Sequence, residues 1–393
     1  MAAPVQQSLG KRLLLWASMI LILLAIVEGT SAAFIRVVMP KRAHFLLWEP
    51  DIAAARKLWT EVAGNWDDEL GWPSPRAAVS LPHDKTGAKF NPDFPQPGDA
   101  CASAYGDSFI WGDDIPLQDG WIEQMSRKLG CRVANYGVSG YGTDQAYVRF
   151  KRNTADEAPV VLFGIFPGDI VRNVNQFRAL IGFRPNPRTL KGRFILDSAG
   201  HLKWVHRPRL DEAGFIHLVR DPAGVLPHEY LLPDTRDGPV SVRFPYTLTL
   251  ARLALMPRLR TRITGLPTWS SFFHADHPSG AFPLTAAITV AFAREAERRG
   301  KRALVVMLPD ASSFRARAKL GKPVYAPLLA ALAAEHVAVF DPMPALLSAL
   351  GSRSYCMLFA QPANCNGHFG VAGGGILADV MIAELRRRGL VKQ

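Results

Sequence analysis

The sequence predicts an α/β protein built on a parallel sheet, and three observations carry that prediction. From about Asp99 onward, short apolar runs alternate with helical stretches, the pattern of strands joined by crossover helices. One run, "APVVLFGIF", is apolar throughout, as in a strand covered on both faces. A long apolar stretch at the N-terminus stands outside the alternation, as a hydrophobic anchor would. With 393 residues, 48% of them hydrophobic, the chain is large enough for one big domain with an insertion or for two domains.

Residues 1–38 form the expected anchor or signal segment. "KRLLLWASMILILLAIVEGTSAAFIR" opens on Lys11 and Arg12 and is apolar from Leu13 to Val27; Glu28 interrupts, and apolar residues resume to Ile35. A membrane span needs roughly 20 apolar residues, so this is a short transmembrane helix. Arg36, Lys41 and Arg42 follow it, which blurs the charge asymmetry. We read an uncleaved anchor with the body of the chain outside the cytoplasm, on the periplasmic side. The small residues Thr30, Ser31 and Ala32 fit the alternative, a signal peptide removed on secretion.

Residues 39–98, rich in Pro, Trp and Asp, predict an irregular linker. Residues 99–172 open the sheet domain. "ACASAYGDS" is a run that ends in a turn. "GWIEQMSRKLG" places Trp121, Ile122, Met125 and Leu129 at helical spacing, and Gly130 closes the helix. "CRVANYG" predicts a strand, "TDQAYVRFKR" a helix, and "APVVLFGIF" the next strand. Between 173 and 283 the alternation breaks into segments rich in Pro and Arg. Within them "GRFILDSAGHLKWV" predicts two short strands about a Ser-Ala-Gly turn, so this region is expected to be an inserted, irregular or β-rich cap subdomain. Residues 284–393 resume the pattern: helix "LTAAITVAFAREAERRGK", strand "RALVVMLPD", helix "YAPLLAALAAEH", strand "VAVFD" and final helix "GVAGGGILADVMIAELRRRG".

The formal charge is +12, with arginine scattered rather than in blocks, which favours solubility and attraction to anionic glycans or lipid headgroups. A P-loop, zinc-ligand spacing and a basic helix interleaved with aromatics are all missing, so nucleic acid is not an expected partner. The four cysteines contain no CxxC, and neither a metal nor another cofactor is expected. Cys101 and Cys131 each start a strand-like run, and Cys356 and Cys365 bracket one short loop. Pairing them that way gives two disulfides in an oxidising compartment.

In parallel sheets ligands bind at the carboxyl ends of the strands. Ser108, in "YGDSFIWG", ends the first run; "NYGVSGYGTDQ" follows the second and "FGIFPGDIVRN" the third; His368 stands in "CNGHFG" just before the last helix. A hydroxyl becomes a useful nucleophile only beside a base, and histidine takes and returns a proton near neutral pH. Backbone N–H groups at glycine-rich turns can hold the oxyanion that develops.

These residues resemble the SGNH, or GDSL-type, hydrolases. The resemblance lies in "GDSF" at Gly106–Phe109, in Gly137 and in the late His368. It is closest to membrane-anchored envelope members that carry a "GYGTDQ" stretch, here Gly140–Gln145, and it covers roughly Ala100–Ile170 and Leu284–Leu390. It implies a three-layer α/β fold with Ser108 as nucleophile, His368 as base, and the N–H groups of Ser108 and Gly137 as oxyanion donors. Asp107 would brace the turn. Two positions depart from the family. Its oxyanion Asn is replaced within Pro167-Gly168-Asp169, where an aspartate donates only if protonated; Asn173 is the nearest amide. The Asp that precedes the family's His is replaced by Cys365 and Asn366, which leaves Asn366 to orient the ring.

Three functions are compatible with these residues. The first is an envelope-anchored serine esterase that removes acyl groups, acetyl foremost, from a glycan or lipid. The second is an O-acyltransferase acting on an extracytoplasmic polysaccharide. The third is a catalytically silent SGNH-like component that binds glycan and assembles with envelope-biogenesis proteins.

Overall fold

The computed structural model describes residues 9–42, 44–62, 64, 66–72, 83–96, 98, 100–182 and 186–392. An apolar helix, α1 (Leu9–Ala33), leads the chain. The stretch Leu9–Val38 is long and apolar enough to anchor in a membrane or to act as a signal sequence. The first two strands of the central sheet are β1 (Ala102–Tyr105) and β2 (Val133–Asn135). Between them lie a single turn, α2 (Ser108–Trp111), and the helix α3 (Trp121–Leu129). Helix α4 (Thr143–Arg152) leads to β3 (Val160–Ile165), which ends in the short α5 (Asp169–Asn173). After the insertion come α8 (Ala281–Arg298), β4 (Arg302–Met307), β5 (Val339–Phe340) and the last helix, α9 (Val371–Arg387). All five strands run parallel, in the order β2–β1–β3–β4–β5.

Both faces of this sheet are covered, which is why its strands are apolar on both sides: every residue of β1, β2 and β3 is buried. Helix α3 packs with α9, and α4 packs with α8. Phe163 of β3 stacks on Phe292 of α8 with ring centroids 4.0 Å apart, and Phe292 meets Phe150 of α4 at 4.8 Å. All three rings are fully buried. Helix α3 buries Trp121, Ile122 and Met125, and Gly130 ends it with φ +67°, a conformation that suits glycine. This is the doubly wound, three-layer α/β architecture expected from the sequence.

Two regions differ from the sequence expectation. The stretch 39–98 is not a bare linker: Ile52–Val62 is a helix, and Trp48, Ala55, Leu70 and Ala88 are part of the main core. Residues 73–82 of that expected linker lie outside the described residues. The insertion does contain a hairpin, Arg193–Leu196 with Leu202–Val205, but it is more helical than its Pro and Arg content suggests. It holds Glu212–Arg220, α6 (Tyr246–Leu255) and α7 (Pro257–Ile263). Pro257 sits at the start of α7, where its missing N–H costs nothing. The "GYGTDQ" stretch ties the insertion to the sheet domain. Asp144 forms a fully buried ion pair with Lys191, and Gln145 accepts a hydrogen bond from Arg178 and donates one to the Leu70 carbonyl.

Two disulfides are present, Cys101–Cys131 and Cys356–Cys365. The first joins the residue before β1 to a residue shortly before β2. The second staples the loop that carries His368.

Candidate active site

From β1 the chain crosses to β2 on one side, whereas β3 pairs on the other, so the carboxyl end of β1 is a topological switch point. Ser108 begins α2 directly after it. A helix of one turn does not hold itself, because nucleation is unfavourable and its end groups lack partners. Here every carbonyl of the turn is met from outside or just beyond it. Ser108 O accepts from Gly112 N–H at 2.9 Å, Phe109 O from Trp121 Nε1 at 2.7 Å, Ile110 O from Asn135 Nδ2 at 2.9 Å and Trp111 O from Lys89 Nζ at 2.8 Å. At the other end Asp107 Oδ1 accepts from the Phe109 N–H at 2.9 Å. Lys89 is itself buried against Glu123 at 3.4 Å. Burial pulls the Lys89 ammonium down and pushes the Glu123 carboxyl up, and each charge opposes the shift of the other. The Ser108 turn thus rests on a lysine from the expected linker.

Ser108 Oγ lies 2.8 Å from His368 Nε2. On the other side of the ring, Nδ1 lies 2.8 Å from Asp114 Oδ2, which also accepts the backbone N–H of His368 at 3.0 Å. The Asp114 carboxyl is partly buried, which alone would raise its pKa; the hydrogen bonds from His368 outweigh this and hold it below the usual carboxylate value. An ionised Asp114 places the proton on Nδ1 and leaves the Nε2 lone pair facing the serine O–H, the tautomer a general base needs. The Phe109 ring sits 4.6 Å from the imidazole and covers it from one side. Ser108 is 5% exposed, while the His368 side chain keeps 23% of its surface open. The serine is thus buried while the imidazole reaches the surface.

The carboxylate that meets the His368 ring therefore comes from the loop after Ser108, not from the hairpin that carries the histidine. Asn366, proposed for this role from its position, lies exposed on the hairpin Phe359–Gln361/Asn366–Phe369, paired with Gln361. Gly367 follows with φ +91° and stands close to Asp114, so the chain turns between Asn366 and His368. Asp114 has φ +70°, an uncommon value for a non-glycine residue that aims its side chain back at the ring. Its neighbour Asp113 accepts from Ser139 Oγ at 2.6 Å and fixes the second loop. The available sequence signal was the pair of acidic residues in "WGDD", six residues beyond the serine.

The oxyanion candidates fare differently from one another. The Ser108 N–H has no hydrogen-bond partner among the described residues, as a waiting donor would. Gly137 approaches α2 so closely that a Cβ there would lie 2.4 Å from the Trp111 nitrogen. Its N–H, however, donates to Asn135 Oδ1 at 3.0 Å, so serving an oxyanion requires exchange of that bond. Asn173 is turned into the core: Oδ1 accepts from Thr143 Oγ1 at 2.8 Å, and Nδ2 donates to Thr285 Oγ1 at 2.9 Å. Its amide is spent on holding α4 and α8 together, so it does not replace the missing asparagine. Gly168 has no room for a side chain, because the Phe166 ring fills the space.

Asp169 shares one guanidinium with Asp107. Arg172 Nη1 donates to Asp169 Oδ1 at 2.8 Å and to Asp107 Oδ2 at 2.9 Å. Burial, then the neighbouring Asp107 charge, pushes the Asp169 carboxyl well above the usual range, against the pull of Arg172 and Arg178. Asp107 is also raised by burial, but it has both Arg172 and the Phe109 N–H to hold its charge. Asp169 Oδ2 has no hydrogen-bond partner among the described residues. Of the two carboxyls, Asp169 is thus the one whose surroundings favour the neutral acid, and a neutral carboxylic acid is a donor where the carboxylate is not.

A cavity of about 340 Å³ adjoins this corner, lined by Phe166, Gly168, Arg172, Trp269, Arg258 and Arg262 among others. Phe166 joins it to the nucleophile, since its ring stacks on Phe109 at 5.0 Å.

No family model and no curated protein sequence matches the chain. Solved structures similar to it include a putative lipolytic protein of the G-D-S-L family from Desulfitobacterium hafniense DCB-2. It is 11% identical, with 71% of this chain and 98% of that one covered and a TM-score of 0.32. A member of the lipolytic G-D-S-L family from Veillonella parvula DSM 2008 is 12% identical, with 73% and 98% covered and a TM-score of 0.34. A catalytic mutant of an acetylxylan esterase from Geobacillus stearothermophilus is 14% identical, with 75% and 97% covered and a TM-score of 0.35. Likenesses this distant leave the function to be read from the site. The five-stranded parallel sheet, the serine turn at the end of its first strand and the histidine before the last helix are the arrangement that the sequence resemblance to SGNH hydrolases implies.

Proposed function

We propose that the protein is a serine esterase that removes small acyl groups, acetyl foremost, from an envelope glycan or lipid. The observation that carries this reading is the relay Ser108–His368–Asp114, with 2.8 Å at each side-chain contact. In the first half-reaction Ser108 Oγ attacks the ester carbonyl as its proton passes to His368 Nε2. The Asp114 carboxylate balances the imidazolium that forms. The Ser108 N–H meets the oxyanion, with the Asp169 carboxyl and the Gly137 N–H as further candidates. Collapse breaks the C–O bond, and His368 returns the proton to the departing alcohol, leaving acyl-Ser108. Water, activated by the same histidine, releases the carboxylic acid and restores the serine.

Two features support a substrate on the extracytoplasmic side of a membrane. The disulfides fit an oxidising compartment, and the apolar N-terminal helix fits an anchor. The cavity beside the site offers Trp269 and Phe166 as faces for sugar or acyl groups, with Arg258 and Arg262 for acidic ones. The test is acetate release from O-acetylated oligosaccharides by the full chain, with Ser108→Ala beside it. Release by the native chain and none by the variant is the expected result. Acetyl transfer to an added sugar in excess of hydrolysis would make the protein a transferase that uses the same acyl-serine. No turnover and no acyl-enzyme would overturn the catalytic reading.

A further inference from the structure

Glu28 is the one charge inside the apolar N-terminal stretch, and the structure gives it a partner far along the chain. Its carboxylate accepts from the backbone N–H groups of Tyr246 at 2.6 Å and Thr247 at 3.2 Å, and from the Thr247 hydroxyl. These are the first N–H groups of α6, which have no partner inside their own helix. An acidic side chain here both satisfies them and suits the positive end of the helix dipole. Arg36 adds a second tie, donating to the Tyr246 hydroxyl at 3.1 Å and lying over its ring.

The far side of α6 is apolar and open. Leu248, Ala251 and Leu255 recur at helical spacing and are exposed, and Phe244 continues the stripe just before the helix. Exposures of 72% for Phe244, 47% for Leu248, 66% for Leu255 and, in α7, 76% for Ile263 are high for such large apolar groups gathered on one element pair. Arg243, Arg260 and Arg262 are exposed around them. The inner side of α6 does not join the main core. Leu253 and Met256 pack in a satellite cluster with Met39, Leu46 and Val240, so α6 is built onto the base of the N-terminal helix. That helix is itself bare, with none of its apolar window buried.

From this continuity of apolar surface we infer that α6 and α7 are a membrane-seated foot. On this inference their outer face lies at the headgroup–acyl boundary beside the point where α1 leaves the bilayer. The inference rests on reading α1 as an uncleaved anchor. An open apolar stripe flanked by arginines is the composition of an interfacial helix, with the cations meeting anionic headgroups. A bilayer is the occupant argued for because the stripe abuts the anchor's own lipid-facing surface through Glu28 and Arg36. The seating has a consequence for substrate. Helix α7 supplies Arg258 and Arg262 to the cavity that Phe166 links to the serine turn, so on this inference that cavity faces the membrane side and favours an acylated substrate carried by a lipid.

The test reconstitutes the full chain into phosphatidylcholine vesicles containing phosphatidylglycerol. An environment-sensitive fluorophore is placed on Leu248→Cys, Leu255→Cys, Met19→Cys or, on the exposed helix Ala326–Ala334, Ala333→Cys. Labelling of Ser108 by a fluorophosphonate reports that each variant is folded. The expected result is blue-shifted emission at 248 and 255 that lipid-attached nitroxide quenches by roughly half, as for a face seated at the acyl boundary. Position 19 should be quenched and 333 should not. Quenching at 19 with none at 248 or 255 would overturn the foot and leave the anchor standing. Loss of quenching at 19 as well would overturn the anchor reading itself. Blue-shifted but unquenched emission at 248 and 255 would mean that a protein surface covers the stripe, and would also overturn the proposal.

Discussion

Two corners meet at the carboxyl ends of neighbouring strands, and they are built to different standards. The corner after β1 is complete: each carbonyl of the α2 turn has a donor, Asp107 caps it, and His368 and Asp114 line up behind the serine hydroxyl. The corner after β3 departs from the family it resembles. It offers a buried carboxyl in place of an amide and is held to the first corner through one guanidinium. The contrast teaches that Ser108, His368 and Asp114 are aligned at the first corner, whereas the second holds a carboxyl where the resemblance calls for an amide. Buried groups explain why the second corner is tolerated. One guanidinium bridges both carboxyls, and burial favours the neutral form of Asp169.

The largest effect separating the corners is expected at Asp114. Asp114→Asn keeps the shape but lets an amide donate toward Nδ1, which favours the wrong tautomer. Esterase turnover should fall by about 10⁴, the scale seen when the matching carboxylate of a serine protease becomes an amide. Steady-state kinetics on an acetyl ester checks this, and a fall of only a few-fold would remove Asp114 from the relay. Next is the floor beneath the first corner. Lys89→Met leaves Glu123 buried without its cation and the Trp111 carbonyl without its donor, and should cost about 3–5 kcal/mol of stability in chemical denaturation. An unchanged denaturation midpoint would mean that the α2 turn does not depend on this pair.

The second corner gives a smaller effect whose sign depends on pH. A carboxyl raised on folding contributes stability that is fully present below its unfolded pKa and is lost as pH rises through its folded value. Asp169→Asn removes that loss, so the variant should gain on the native chain as pH is raised from about 4 to about 9 in thermal melts. Parallel curves would show that Asp169 does not hold a proton. Asp114, held low, acts in the opposite sense: its contribution is present above the unfolded value and is lost only as pH falls below it, so the two sites separate along the pH axis. The smallest effect is expected at Asn366. Asn366→Ala, on an exposed strand, should change stability by no more than about 0.5 kcal/mol and leave turnover within a few-fold. A loss like that of Asp114→Asn would return Asn366 to the orienting role.

What was legible in the chain follows from the range over which each signal acts. Strand and helix alternation, the hairpin at 193–205 and the turn at Ser108 are local, set by periodicity and by Gly, Asp and Ser chemistry, and could be read directly. Ser108 and His368 stand 260 residues apart and came forward as a pair only through the motif each sits in. Asp114 had no such motif; its part depends on a loop with positive φ folding back over the histidine hairpin. Glu28 looked like a flaw in an apolar helix, because its partners lie more than 200 residues away. Asn173 looked like a donor for the site, because nothing in the sequence shows that Thr143 and Thr285 consume both ends of its amide. The stretch 39–98 looked like a linker because its ties to the core, Lys89 with Glu123 and Asp84 with Arg132 among them, join residues distant in sequence.

The most direct measurement is covalent labelling of the full chain with a fluorophosphonate, with the modified residue located by mass spectrometry. Ser108→Ala, His368→Ala, Asp114→Asn and Asn366→Ala are run beside the native chain. The account predicts a single adduct on Ser108, absent in the first variant, nearly absent in the second, strongly slowed in the third and unchanged in the fourth. No adduct on a folded native chain, or one whose rate ignores His368 and Asp114, would contradict it.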